Sequence, residues 1–315
     1  MSTMPEALAQ YIAVRRALGA KLREPAVRLR EFVAFLKNQG AEFITTELAL
    51  CWAMQPKNVQ RATWARRLSI VRRFAVWLNA ADPRTQIPPP RLIGGGRRRN
   101  PPHIYPDQEV ELLMAEASRL TSRRKLRAHT YTTLIGLLAT TGLRPGEVLA
   151  LARSDVDLQS GILSIRDSKF GKSRFVPIHN TTRTALASYA GRRNKLGLRL
   201  QTEAFFITET GRPLLACAVR RTFAKMSLAV GIRAPGVGRR VGRGPRLQDF
   251  RHTFATRKLI EWYRAGLDVE RELPKLSTYL GHSDVAHTYW YISADPELLQ
   301  LAMKFLRGRR PGAEK

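Results

Sequence analysis

Residues 280–291 read LGHSDVAHTYWY, with Tyr291 nine residues after His282. A tyrosine beside an apolar helix is ordinarily core or interface, its ring buried and its hydroxyl wet. The same phenol can also serve as a nucleophile. Tyr289 stands two residues earlier and competes for that role. His287 reads as a surface residue, and Trp290 as an anchor lodged in a hydrophobic groove. The stretch gains meaning beside three others: TTGLRPGEVLAL at 140–151, DSKFGKSRFVPI at 167–178 and LQDFRHTFATR at 247–257. Their charged centres are Arg144, Lys169 and Arg251. Each is weak alone, since an arginine near a helix start or a lysine in a hairpin turn is usually a solvated charge.

In this order and spacing the four segments resemble the tyrosine recombinase, or phage integrase, family. The resemblance covers most of residues 105–292. The helical part before it is similar to that family's SAM-like core-binding domain. It implies that Tyr291 attacks a DNA phosphorus, forming a 3′-phosphotyrosine and releasing a 5′-hydroxyl. Arg144 and Arg251 would clamp the non-bridging oxygens, a task suited to a forked, permanently charged guanidinium. Lys169, at the hairpin turn, would protonate the 5′-oxygen, with Lys172 the alternative three residues on. His282 would hydrogen-bond the phosphate or help accept the tyrosine proton. The nine-residue spacing from His282 favours Tyr291 over Tyr289. The covalent bond stores the energy of the cut, so neither ATP nor another cofactor is expected.

One position departs from the family pattern. Where the family usually has histidine three residues before the second arginine, this chain has Gln248. Glutamine can donate a hydrogen bond to a phosphate oxygen but cannot carry charge or move a proton. Either Gln248 keeps that bond while His282 handles the proton, or the enzyme is impaired. The first reading is preferred, because the nucleophile, both arginines and the lysine are all present. His252, beside Arg251, reads as a histidine packed behind the site. Glu147 reads as the partner of a nearby cation, orienting the site.

Outward from the motifs, the chain divides. Ala26, Leu29, Phe32, Val33 and Leu36 recur at helical spacing, and Gly40 marks a stop. A second helix follows Trp64, Leu68, Val71, Ala75 and Leu78. Its other face carries Arg61, Arg66, Arg72 and Arg73 with almost no acids between them, which suits phosphate contact better than a merely solvated face. The pattern breaks in the Pro/Gly/Arg-rich stretch 81–110, where Arg97, Arg98 and Arg99 form a basic run. The expected domains are a helical core-binding domain at 1–90, a linker at 91–104, a catalytic domain at 105–292 and a C-terminal helix and tail at 293–315. Within the catalytic part, 107–119 and 129–141 look helical. Residues 162–178 read as two strands around a turn at Lys169–Lys172, with Arg174 and Lys172 candidates for DNA contact. The rest is mostly helical. The fold class is therefore mainly α with a small β-sheet, an α+β catalytic domain, the two domains forming a C-shaped clamp on DNA. Leu298, Leu301, Ala302 and Phe305 give the tail an apolar face, expected to dock on a neighbouring protomer in preference to the plainer alternative of packing on its own domain.

Composition agrees with a polyanionic partner. Of 315 residues, 54 are Lys or Arg and 25 are Asp or Glu, leaving +29. Such a charge opposes compaction by self-repulsion and favours counterion-releasing association with nucleic acid. A basic membrane-surface protein would concentrate its charge on one helix, whereas here the charge runs from Arg15 to Arg310. No segment reads as membrane-spanning or as a signal peptide, and a cytoplasmic location is expected. Cys51 and Cys217 match no zinc spacing and read as buried, reduced residues. Gly171-Lys172-Ser173 fails as a nucleotide-binding loop because Arg166 stands where that loop needs glycine. The acids form no convincing triad, so no metal is expected. Three readings remain: a recombinase, acting as a homotetramer on two double-stranded DNA sites or beside sibling recombinases; a DNA-binding protein of the same fold that no longer cuts; and a type IB topoisomerase. The recombinase is preferred. A mobile genetic element is its expected setting.

Overall fold

Periodic apolar residues build two separate cores. A computed structural model of the chain describes residues 3–94, 101–166, 173–197, 202–236, 244–281 and 296–308. It forms two compact units that divide between Asn100 and Pro101.

The first unit packs α1 (Met4–Ala17), α2 (Arg23–Asn38), α3 (Thr46–Met54) and α4 (Arg61–Asn79). Phe32, Leu36, Trp52, Val71 and Phe74 meet at its centre. Gly40 takes the left-handed conformation just past α2 (φ 64°), the usual end of a helix. Trp64 of α4 is only half-buried, and the stripe includes a cation the periodicity did not mark. Arg67 lies over the Trp52 ring at 3.8 Å and donates to the Trp52 carbonyl at 3.1 Å. Beyond α4 the chain stays on this unit: Gln86 donates to the Ile44 carbonyl at 2.7 Å, and Ile93 packs against the core.

The second unit contains α5 (Asp107–Ser118), α6 (Leu126–Thr141), α7 (Pro145–Ala150), β1 (Val156–Asp157), β2 (Ile162–Ile165), β3 (Arg174–Pro177), α8 (Asn180–Lys195), α9 (Ala216–Ala229), α10 (Asp249–Arg264), α11 (Val269–Leu280) and α12 (Pro296–Gly308). The strands form one antiparallel sheet in the order β1-β2-β3, with Leu163 opposite Val176. Alternation puts Leu163, Ile165 and Val176 in the core and leaves Phe175 exposed. Helix α6 begins at Leu126, earlier than the apolar pattern indicated. The Glu209 carboxylate accepts from the backbone N–H groups of Arg124 and Leu126 at 2.9 and 3.2 Å, capping the helix start from a distant part of the chain.

Two expectations are corrected. Cys51 and Cys217 are both exposed and free: on α3 the inward positions go to Ala49, Trp52 and Ala53, which turns Cys51 outward. Leu298, at the start of α12, is fully buried with Ala255, Leu259, Leu273 and Leu276 of α10 and α11. The start of the tail helix thus packs on its own domain, where docking on a neighbouring protomer was expected, and the Phe305 side chain lies outside the described residues. No described helix is long and apolar enough to cross a membrane.

Candidate active site

Helix ends build the site. Helix α6 stops at Gly142, held at φ 60°. A methyl group there would lie 2.6 Å from the Phe254 ring, so glycine lets α6 and α10 approach. Two residues later Arg144 caps α7, with Pro145 in the first turn, where its missing N–H costs nothing. The Glu147 carboxylate reaches back to the Arg144 backbone N–H at 3.0 Å and to Arg144 Nη1 at 2.7 Å.

Helix α11 likewise ends at a left-handed glycine, Gly281. The last carbonyls of a helix lack intrahelical partners and carry the negative end of its dipole. Here three arginines from three elements take three successive carbonyls. Arg174 Nε of β3 donates to Tyr279 O at 2.7 Å. Arg251 Nη2 of α10 donates to Leu280 O at 2.6 Å. Arg144 Nη2 donates to Gly281 O at 3.2 Å. Arg251 Nη1 also reaches Gly142 O at 3.2 Å, which joins the two helix ends. Arg251 is almost wholly enclosed, 1% exposed, whereas the Arg144 side chain remains 23% exposed.

Glu147 ties the cluster together. Its carboxylate accepts from Arg144 and also from Arg174, at 2.9 and 3.2 Å. Burial alone would raise its pKa. The Arg174 hydrogen bonds, then the Arg144 backbone N–H and the charges, outweigh burial and hold the group below the usual carboxylate range. Glu147 is therefore an ionised brace, the orienting role expected of it. Three guanidinium groups against one carboxylate leave a cationic cluster suited to a phosphate.

Gln248 stands at the start of α10, its backbone carbonyl accepting from Arg251 N at 3.2 Å. With Pro145, Gly146, Arg220, Arg233 and Arg246 it lines a cavity of about 740 Å³. His252 is largely buried, and burial pushes its pKa down to about 4, so at neutral pH it is an uncharged packing residue, as expected.

Other expected residues lie elsewhere. Lys169, Lys172, His282, Tyr289, Tyr291, Arg97, Arg98 and Arg99 are outside the described residues. On α4, Arg61 and Arg73 are exposed and Arg72 is half-buried. Arg66 is exposed and ion-paired with Glu24, so it is less available to phosphates than a bare basic face implied. Arg174, a candidate for DNA contact, is held by Glu147 and Tyr279, with its side chain 10% exposed. No local signal marked this role, because its partners lie 27 and 105 residues away along the chain. Among the described residues no group of His, Cys, Asp or Glu is arranged to hold a metal.

The second unit is a helical domain with a three-stranded sheet, and three of its arginines gather on the helix end that precedes the His282–Tyr291 segment in the chain. Residues 104–297 match the model of the phage integrase family. An integrase/recombinase of Sinorhizobium fredii, y4rB, is 44% identical over 98% of both chains. Tyrosine recombinase XerD of Caulobacter vibrioides is 28% identical over 98% of this chain and 97% of its own. Among solved structures, the Tn1549 transposon integrase in complex with transposon right end DNA superposes with a TM-score of 0.68 at 16% identity, covering 98% of this chain and 100% of that one. The chain belongs to the phage integrase family of tyrosine recombinases, enzymes of site-specific DNA recombination.

Proposed function

We propose that this chain cuts and rejoins duplex DNA through Tyr291 in the service of a mobile genetic element. The observation that carries the reading is the placement of Arg144 and Arg251 on the carbonyls of residues 280 and 281, immediately before His282 in the chain. Two arginines thus stand beside the residues that precede the His282–Tyr291 segment in the chain, which supports their role as phosphate ligands. Tyr291 attacks the scissile phosphorus and its phenol proton leaves toward His282. The 5′-oxygen departs with a proton from Lys169, or from Lys172. Arg144 and Arg251 stabilise the charge that gathers on the non-bridging oxygens. Gln248 donates a hydrogen bond to the same phosphate. Reversal by another 5′-hydroxyl rejoins the strand without ATP or metal.

Strand exchange joins two duplexes, so four protomers act together, alone or beside sibling recombinases. Arg61, Arg72 and Arg73 contribute phosphate contacts, and the basic run Arg97–Arg99 and Lys172 add to them. A DNA substrate and two free cysteines fit a cytoplasmic location. The similarity to a transposon integrase supports the mobile-element setting.

The test is covalent capture. Nicked duplexes from the DNA flanking the gene are incubated with protein in EDTA and resolved on a denaturing gel. A protein–DNA adduct is expected, present in Tyr289→Phe and absent in Tyr291→Phe. Gln248, which replaces the family histidine, favours a second reading, a DNA-binding protein that no longer cuts. Salt-sensitive binding without any adduct, cured by Gln248→His, would establish that reading instead. Relaxation of any supercoiled plasmid would point to a topoisomerase.

A further inference from the structure

We propose that Arg174 is a positioning residue for the cleavage step: it sets the alignment of Arg144 and of the α11 end, and does not itself contact DNA. The inference rests on the reading that Arg144 binds the scissile phosphate. Three observations carry it.

First, Arg174 is committed on both sides of its guanidinium. Nε holds Tyr279 O at 2.7 Å, while Nη1 and Nη2 hold the two oxygens of Glu147 at 3.2 and 2.9 Å. A planar fork can span a carboxylate and a carbonyl at once, whereas an ammonium, a single point of charge, cannot reproduce that geometry.

Second, the same carboxylate fixes Arg144, through its backbone N–H and Nη1. Without Arg174, Glu147 would be a buried acid with one cation partner, free to rotate toward Arg144 and carry that guanidinium with it. The path from Arg174 to Arg144 therefore passes through one shared, nearly enclosed carboxylate, 6% exposed.

Third, Arg174 lies on β3, the strand that follows the Lys169–Lys172 segment, five residues after Lys169. Its bond to Tyr279 O pins that strand to α11 two residues ahead of Gly281. One side chain thus relates β3, the carboxylate that holds Arg144, and the C-terminal end of α11. Gly281 fits this reading, because a methyl group there would meet Arg174 Nη1 at 2.7 Å. The absence of a side chain at 281 is the space Arg174 occupies.

The experiment uses the full chain and single-turnover cleavage of a nicked duplex, with either an ordinary phosphate or a neutral methylphosphonate at the scissile position. The methylphosphonate removes the charge an aligned arginine would stabilise. On phosphate, Arg174→Ala is expected to cut about 100-fold more slowly than wild type, the scale of a misaligned catalytic group, with DNA affinity within about twofold. On methylphosphonate the deficit, each protein compared with wild type on the same substrate, is expected to shrink to about tenfold or less, as the charge to be stabilised is gone. Arg174→Lys should resemble Arg174→Ala. If Arg174→Ala does not fold, Arg174→Gln, which retains a donor for Tyr279 O, is measured in its place.

An equal deficit on both substrates, a parallel loss of affinity, or full activity of Arg174→Lys would overturn the proposal. Arg144→Ala is the control on the parent reading. If it shows no deficit on phosphate, or none that methylphosphonate relieves, then Arg144 is not the phosphate clamp and the inference falls with it. A normal Arg144→Ala signature beside a substrate-independent Arg174 deficit sinks the positioning role alone.

Discussion

Gly281 is held at φ +68°, with space for a methyl group only if Arg174 moves. Both facts bear on Gly281→Ala. The left-handed backbone costs a residue with Cβ about 1–2 kcal/mol, and the methyl also pushes the guanidinium that braces Glu147. Gly19 separates the two effects: it sits at φ +82° with nothing within 4 Å of a built methyl. Gly19→Ala should lose stability by the strain alone and cleave at the wild-type rate. Gly281→Ala should lose similar stability and in addition cut at least about tenfold more slowly, the cost of a shifted catalytic group. Thermal melting beside single-turnover cleavage reads both, and equal cleavage rates in the two variants would contradict the packing argument. The Leu280-Gly281-His282 run was legible as a motif. The reason for its glycine was not, because the atom that excludes a methyl belongs to an arginine 107 positions earlier in the chain. Arg67 was hidden for the same reason: its stacking partner, Trp52, lies on another helix, and a lone arginine in a basic stretch looks solvated.

Helix α10 shows what an element adds to its residues. Its first turns carry Gln248, Arg251 and His252, and its flank is held by the chain that follows the inter-unit segment. Tyr105 donates its backbone N–H to Thr253 Oγ1 at 2.9 Å and receives Arg257 Nη2 on its carbonyl at 2.7 Å. The Tyr105 ring stacks on Phe250 at 4.3 Å. The helix bearing the buried arginine is thereby fixed from outside, and His252 lies largely buried on it. Burial lowers the His252 pKa from 6.5 to about 4. The folded state thus binds its proton less readily than the unfolded state does. The resulting stability is fully present above about pH 6.5 and drains away as the pH falls toward 4. Denaturant midpoints measured from pH 7 to pH 4 should fall in the wild type and fall less in His252→Gln. Identical slopes would show that His252 is not buried as described. Elements were unequally legible. The long amphipathic helices α2 and α4 followed from spacing alone, since one face must meet a core. The two-residue β1 has too few residues to show alternation, and the start of α6 depends on Glu209, whose contribution no local window contains.

At the scale of the whole molecule, charge is distributed by use. Several of the 25 acids are spent inside the fold, where Glu147, Asp155 and Asp249 are each nearly enclosed and paired with arginine. Acids used in this way do not offset the basic surface, so the net +29 is felt mainly outside the protein. Composition made the polyanionic partner legible but not the surface that meets it. Arg66 and Arg174 belong to the same cationic excess, yet one pairs with Glu24 and the other is built into the site. Two measurements should then move in opposite directions with salt. Affinity for duplex DNA should fall by about 10³-fold or more between 50 and 200 mM salt, as expected for six or more neutralised phosphates. Stability against denaturation should rise over the same range, because salt screens the self-repulsion of an overcharged chain. Tyr291→Phe, which removes the proposed nucleophile, should keep the wild-type binding slope, since DNA capture by surplus charge does not need the phenol. A shallow slope in both proteins would mean that the excess arginines are occupied by the fold and do not bind phosphate, and the cationic surface would then lose its role in capturing DNA.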